Sequence, residues 1–213
     1  MKLPFTTPDE VRAAVPLVVD HLKRDGAIAY PTETVYGFGG LITEAALKRV
    51  AELKSRAENK PFLLLVSNPA QCAGLEWNED ARKLAQHFWP GPLTLALRAT
   101  SGEFPAQVLS ESQTVAVRET PHPGLRTLLD VLGAPITSSS ANLPRQAPAD
   151  DAADVANILS ELNADDVLLL DGGRLVPAQP STLVDCSVVP ARVLRQGGIP
   201  IAKLREVVEQ LDA

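Results

Sequence analysis

Ala27-Ile28-Ala29-Tyr30-Pro31-Thr32-Glu33-Thr34-Val35-Tyr36-Gly37-Phe38-Gly39-Gly40 is the passage on which the reading of this chain turns. Its first four residues read as a short buried strand, and Pro31 to Gly40 as a loop carrying three glycines, Gly37, Gly39 and Gly40. Hydroxyls and glycines at the carboxyl end of a strand are placed to meet a ligand, because the backbone can approach it and donors converge there. An ordinary turn with hydroxyl caps would use the same residue types. The loop is not a GxxxxGK[ST] sequence, which disfavours a Walker-type NTPase.

Upstream, Thr7-Pro8-Asp9-Glu10 reads as a helix start, with Thr at the N-cap, Pro at the first helical position and Glu at the third. That helix is expected to reach about Arg24, bent at Pro16, and to stop at Gly26. Downstream, a helix is expected from Thr43 to Lys54 with Leu47, Val50, Ala51 and Leu53 as its apolar stripe, then a central strand over Phe62–Val66. Asp80–His87 reads as a helix stopped by Trp89-Pro90-Gly91-Pro92, and Leu93–Leu97 and Thr114–Val117 as strands. Pro123–Leu132 reads as a helix closed by Gly133, and Ala152–Leu162 as another. Strands follow at Val167–Leu170, Thr182–Val184 and Arg192–Leu194, with a last helix over Ile201–Leu211. Strands and helices alternate early and less regularly after residue 90, which implies an α/β fold with a mixed sheet. No linker or repeat divides the chain, so residues 1–213 are read as one domain.

The net charge of −6 argues against nucleic acid held by charge alone. Cys72 and Cys186 lie far apart without a CxxC partner, and His21, His87 and His122 are scattered, so no disulfide framework and no metal site made only of protein side chains are expected. MKLPFTTPDE has no apolar signal region, and no long apolar run reads as a membrane span, so the expected compartment is the cytoplasm.

Five segments could carry chemistry. Besides the Pro31–Gly37 loop, Lys48 to Lys60 gathers five cations in thirteen residues against Glu52 and Glu58. A helix end accounts for Lys54 and Arg56 through the dipole, but not for Lys60, and Arg with Lys suits phosphate oxygens. Arg118, just past the apolar strand Thr114–Val117, could clamp a carboxylate or phosphate; a surface salt bridge is the plainer alternative. Thr137-Ser138-Ser139-Ser140-Ala141-Asn142 reads as a donor-rich loop, with no GxSxG, SxxK or local histidine that would make one serine a nucleophile. Pro180–Asp185 and Val193–Gly198 are the fifth pair, each weak alone.

Taken in order, PTETVYGFG (31–39), KSRAENKP (54–61), WPGPLT (89–94), TVAVR (114–118), SSAN (139–142), DGG (171–173), STLVD (181–185) and VLRQGG (193–198) resemble the YrdC/TsaC family of threonylcarbamoyl-adenylate synthases. The resemblance implies a YrdC-like twisted open mixed sheet with helices around a large concave, positively charged cavity. It implies a nucleotidyltransferase that joins L-threonine to bicarbonate as a carbamate and adenylates it with ATP and Mg²⁺, releasing pyrophosphate. Thr34, Arg118, Ser138 and Ser181 would contact threonine, with Arg118 on its carboxylate. Lys54, Arg56 and Lys60 would hold the triphosphate, and Thr114, Ser140, Asn142 and Arg195 the nucleotide. The product would pass to the transfer machinery for threonylcarbamoyladenosine (t6A) in tRNA; direct contact with tRNA or double-stranded RNA stays open.

Three positions depart from the family pattern. Ala57 stands where Pro is common, Leu143-Pro144-Arg145 follows SAN in place of x-Ser-Gly, and VLRQGG replaces LRPG. The additional C-terminal domain of the family's longer form is expected to be absent. The alternatives are a YrdC-like module that holds RNA or nucleotide without chemistry, favoured by Lys48–Lys60 and disfavoured by the acidic total, and a paralogue that adenylates a different carbamate. Hydrogenase-maturation carbamoyltransferases, which carry a related domain in a much longer chain, rank lowest.

Overall fold

The computed structural model describes residues 1–54, 60–176 and 178–212. Chain order is β1 (Lys2–Pro4), α1 (Pro8–Lys23), β2 (Ile28–Pro31), β3 (Tyr36–Gly39), α2 (Glu44–Lys54), β4 (Leu63–Val66), α3 (Glu79–Phe88), β5 (Leu93–Arg98), β6 (Thr114–Glu119), α4 (Pro123–Leu132), β7 (Ile136–Ser140), α5 (Ala152–Glu161), β8 (Leu168–Asp171), β9 (Thr182–Asp185), β10 (Ala191–Arg195), α6 (Ile201–Arg205) and β11 (Leu211–Asp212). Among the described residues these strands form one eleven-stranded mixed sheet in the order β1-β8-β2-β3-β7-β4-β6-β5-β9-β10-β11.

Local chemistry explains most element ends. The Thr7 hydroxyl accepts from the Glu10 amide, and the Glu10 carboxylate accepts from the Thr7 amide at 2.8 Å, so two otherwise orphaned donors of α1 are satisfied reciprocally. Pro16 lies inside α1, which runs on to Lys23. Helix α4 ends where Gly133 takes a left-handed φ of 71° and its amide bonds back to Leu129.

The passage after β2 is not a plain loop. Tyr36 to Gly39 form β3, antiparallel to β2 and to β7. A Cβ at Gly39 would fall 1.9 Å from the Thr137 carbonyl oxygen, so this glycine marks close strand approach rather than a turn. The ring of Tyr30 lies against the two strand glycines, and its hydroxyl donates to the Thr137 carbonyl at 2.8 Å. The serine run likewise lies in a strand, β7, and Arg118 sits inside β6 rather than beyond it. The last helix stops at Arg205; Leu211 and Asp212 instead pair in parallel with Ala191 and Arg192 of β10.

Strand alternation sorts side chains onto the two faces of the sheet. Leu64 and Val66 join one apolar cluster with Leu47, Val50, Leu84 and Val155, whereas Leu65 joins the other with Phe5, Val18, Leu125 and Leu129. The second cluster is roofed by α1 and α4 and contains no residue of β5, β6 or β9. Those strands bury Leu93, Leu95, Leu97, Val115, Val117 and Val184 on the first face only. Where the α1–α4 roof ends, the other face of the sheet is free to line a cavity.

Candidate active site

That uncovered face forms one wall of a cavity of about 520 Å³. β6 contributes Ala116 and Arg118, β5 contributes Thr94, and β9 contributes Leu183. Ser138, Ser139 and Ser140 arrive from β7, and Thr32 and Thr34 from the β2–β3 turn. Lys60, Ser181 and Arg195 complete the polar lining, so every charged residue lining the cavity among the described residues is a cation. A second, larger cavity of about 820 Å³ lies beside Trp77 and Trp89; its charged groups are Arg82 and Glu119. Glu119 is paired with Arg126 at 2.6 Å. The hydroxyls and cations converge in the smaller cavity, and the chemistry is assigned there.

Arg118 is 6% exposed, a burial that is costly for a guanidinium without a counter-charge. Glu33 supplies one, with its Oε1 3.1 Å from Arg118 Nη1. The approach is a charge contact outside hydrogen-bond geometry, and both Glu33 Oε1 and Arg118 Nε have no hydrogen-bond partner among the described residues. Thr120 Oγ1 donates to the other Glu33 oxygen at 3.4 Å.

Arg195 grips Ser181. Its Nη2 donates to the Ser181 carbonyl at 2.9 Å and to the hydroxyl at 3.2 Å, and its Nε reaches the same carbonyl at 3.2 Å. The Ser181 hydroxyl also shares a hydrogen bond of 2.8 Å with Thr94 Oγ1. Partial burial, and then the positive charge of Arg118, lower the pKa of Arg195. The two guanidiniums therefore repel, and an anion placed in the cavity would relieve both.

The turn after β2 is built by Thr32. Its hydroxyl donates to the Val35 carbonyl at 2.6 Å, accepts from the Thr34 amide at 3.1 Å, and lies 3.1 Å from the Thr34 hydroxyl. Tyr36 then ties β3 to the Asp171-Gly172-Gly173 turn, donating to the Gly173 carbonyl at 2.7 Å and accepting from the Gly172 amide at 3.0 Å. Burial, the leading cause, pushes the Tyr36 hydroxyl up to about 12, so it stays protonated as a donor.

The structure brings Thr34, Lys60, Arg118, Ser138, Ser140, Ser181 and Arg195 to the cavity lining. Lys54, Thr114 and Asn142 stand apart from it. Lys54 Nζ donates to the Ser140 carbonyl at 2.6 Å, the Asn142 carbonyl at 3.0 Å and the Asn142 Oδ1 at 2.6 Å. The Asn142 amide nitrogen is spent on the Leu143 and Gln146 carbonyls, at 2.8 and 3.0 Å. These two side chains shape the turn that follows β7. Thr114 shares a 2.7 Å hydrogen bond with Ser110 at the far end of β6. Arg56 lies outside the described residues.

The turn carries Pro148 to the cavity mouth, because the Ala149 amide bonds to the Ala141 carbonyl at 2.8 Å and the Ala149 carbonyl accepts from Tyr36 at 2.9 Å. Arg145 has a left-handed φ of 66° and is exposed. Sequence reasoning missed Thr94 and Glu33. The first has a readable signal, since Leu93-Thr94-Leu95-Ala96-Leu97 alternates large and small and sets Thr94 opposite the core leucines. For Glu33, no local pattern announces a pairing across eighty-five residues (118 − 33).

Comparison with known proteins places this architecture. The Sua5_yciO_yrdC family model, described as "Telomere recombination", matches residues 20–197. The chain is 33% identical over 193 residues to the threonylcarbamoyl-AMP synthase of Pyrococcus abyssi, covering 89% of this chain and 56% of that protein. It is 32% identical over 190 residues to the threonylcarbamoyl-AMP synthase of Bacillus subtilis, covering 88% and 54%. The chain therefore spans little more than half the length of these two relatives. The crystal structure of Pyrococcus abyssi Sua5 complexed with L-threonine superposes with a TM-score of 0.88 at 29% identity, covering all of this chain and 62% of that one. With a TM-score of 0.88 to that structure and a family model that takes in most of its length, the chain belongs to the Sua5/YciO/YrdC family.

Proposed function

We propose that this chain is an L-threonylcarbamoyladenylate synthase, a nucleotidyltransferase that forms threonylcarbamoyl-AMP and pyrophosphate from L-threonine, bicarbonate and ATP. The product would serve t6A modification of tRNA in the cytoplasm. The observation that carries this reading is the convergence of the Thr34, Ser138 and Ser181 hydroxyls with buried Arg118 in the cavity that also receives Arg195 and Lys60. The names of the two longer relatives and the threonine complex of the Pyrococcus abyssi protein support the substrate.

In this reading Arg118 holds the threonine carboxylate, and the three hydroxyls orient the rest of the amino acid. ATP brings about four negative charges, which Lys60, Arg195 and, from the sequence, Arg56 offset. Among the described residues no carboxylate lines the cavity, so Mg²⁺ arriving with ATP would be held by phosphate oxygens and water, where it would neutralise charge on the transferred group. The chain's own part is to fix amino acid and nucleotide side by side and stabilise developing charge. No described helix is long and apolar enough to cross a membrane.

The test is an assay with ATP, Mg²⁺, bicarbonate and labelled threonine, each omitted in turn. Pyrophosphate release should require both threonine and bicarbonate. Equal release without threonine would overturn the substrate. Absence of release together with salt-sensitive RNA binding would favour a non-catalytic binding module.

A further inference from the structure

Thr94 is 1% exposed, and among the described residues its hydroxyl has one hydrogen-bond partner, the Ser181 hydroxyl 2.8 Å away. The distance is the same whichever hydroxyl donates; a count of hydrogens decides it. A guanidinium can only donate, so the Arg195 Nη2 contact at 3.2 Å makes Ser181 Oγ an acceptor. If Ser181 gave its hydrogen to Thr94, the Thr94 hydrogen would be left without an acceptor in a side chain that water hardly reaches, a state folded proteins avoid. If Thr94 gives its hydrogen to Ser181, both lone pairs of Ser181 Oγ are filled, one by Thr94 and one by Arg195. Both residues border the cavity, and Ser181, at 4% exposed, is the less deeply covered. The hydrogen left over is then the one on Ser181.

We propose that Thr94 is a positioning residue that fixes Ser181 as a one-way donor. With both lone pairs occupied, the Ser181 hydroxyl can offer a hydrogen to the cavity and cannot accept one. It selects an acceptor oxygen on the bound molecule and has nothing to give an ammonium, which only donates. Accepting from a cation also polarises the Ser181 hydroxyl and strengthens the hydrogen bond it makes. The inference deepens the proposed function and rests on it for the identity of the ligand. In that reading Ser181 meets an oxygen of threonine and leaves unengaged the amine that must join bicarbonate.

Two measurements test it. The first is a mutant cycle read as threonine affinity, by calorimetry on the full chain. Thr94→Val, which keeps the shape and loses the hydroxyl, and Ser181→Ala should each weaken threonine by about three- to tenfold, the range of one lost hydrogen bond. Because Thr94 acts through Ser181, the double variant should bind no worse than the weaker single variant. Thr94→Ser, which keeps the hydroxyl, should bind as the wild type does. Losses that multiply in the double variant, or a Thr94→Val protein with wild-type affinity, would overturn the proposal. The second is neutron diffraction from ligand-free wild-type crystals exchanged into heavy water, which needs neither variant nor substrate. The Thr94 deuterium should point at Ser181 Oγ and the Ser181 deuterium into the cavity; the reverse arrangement would overturn the proposal. A wild type that ignores threonine would remove the proposed substrate. In that case, or should Thr94→Val not fold, the diffraction result still decides the role of Thr94.

Discussion

Arg195 holds Ser181 by both its carbonyl and its hydroxyl, at 2.9 and 3.2 Å. The resemblance implies that Ser181 contacts the amino acid and Arg195 the nucleotide, and in the proposed reading this contact would join the two halves of the site. Ser181→Ala keeps the carbonyl contacts and removes the hydroxyl. The KM values for threonine and for ATP should then rise together, each by about three- to tenfold, the range of one lost hydrogen bond. A rise in the threonine value alone, measured by pyrophosphate release, would show that the contact does not couple the substrates.

Lys54 Nζ is bonded to the turn that follows β7. With three acceptors on Ser140 and Asn142, its removal in Lys54→Met should loosen the turn after β7 and lower stability by about 1–3 kcal/mol. Hydrogen exchange of amides over residues 141–149 should quicken. Unchanged exchange with lost ATP affinity would return Lys54 to the phosphate set.

His122 caps α4 by accepting from the Leu125 amide at 3.3 Å through Nδ1, with its ring stacked on Phe5. Burial, the largest influence, lowers its pKa below the ordinary 6.5, with the charge of Glu33 pulling the other way. The unfolded chain therefore takes up this proton first as pH falls, and the folded state loses stability from about pH 6.5 downward, until the folded pKa is passed. Asn caps without titrating. Melting curves of His122→Asn should show a smaller drop in Tm between about pH 7 and pH 5 than the wild type.

Gly39 faces the Thr137 carbonyl so closely that Gly39→Ala must push β3 and β7 apart. Denaturant titration should show a loss of about 1–3 kcal/mol, the usual cost of overpacking. Gly102→Ala, where an added Cβ would meet nothing within 4 Å, should fall within about 0.5 kcal/mol of the wild type.

Element ends governed by neighbouring residues were legible in the sequence. The Thr7–Glu10 capping box and the Gly133 stop sit where their chemistry requires. Ends governed by distant partners were not. Gly37 and Gly39 look like a loop until β7 is seen to need the space, and Ser138 to Ser140 look like one until β3 and β4 are seen to pair with them. Ile201, Leu204, Val208 and Leu211 carry helical spacing, yet the edge of β10 recruits Leu211 as a strand partner. In the site, the cavity-lining hydroxyls and Arg118 could be picked out by residue type. The contacts of Lys54 and Asn142 could not, because most of their partners are backbone carbonyls that no side-chain pattern encodes.

Arg118 and Glu119 are adjacent on β6, and they line different cavities. Strand geometry sends successive side chains to opposite faces, so a one-residue slip of this strand would exchange them. Val115 and Val117 would leave the core, as in any such slip. Here the error would also reverse an electrical sign, setting a carboxylate among Arg195, Lys60 and the serines and a guanidinium beside the tryptophans. A misregistered molecule would then set a carboxylate against two of the cavity's three cations, and would hold nucleotide poorly even where its backbone had otherwise formed. Nucleotide present during refolding should thus act as a proofreader of strand alignment, rescuing only those chains whose β6 has paired correctly.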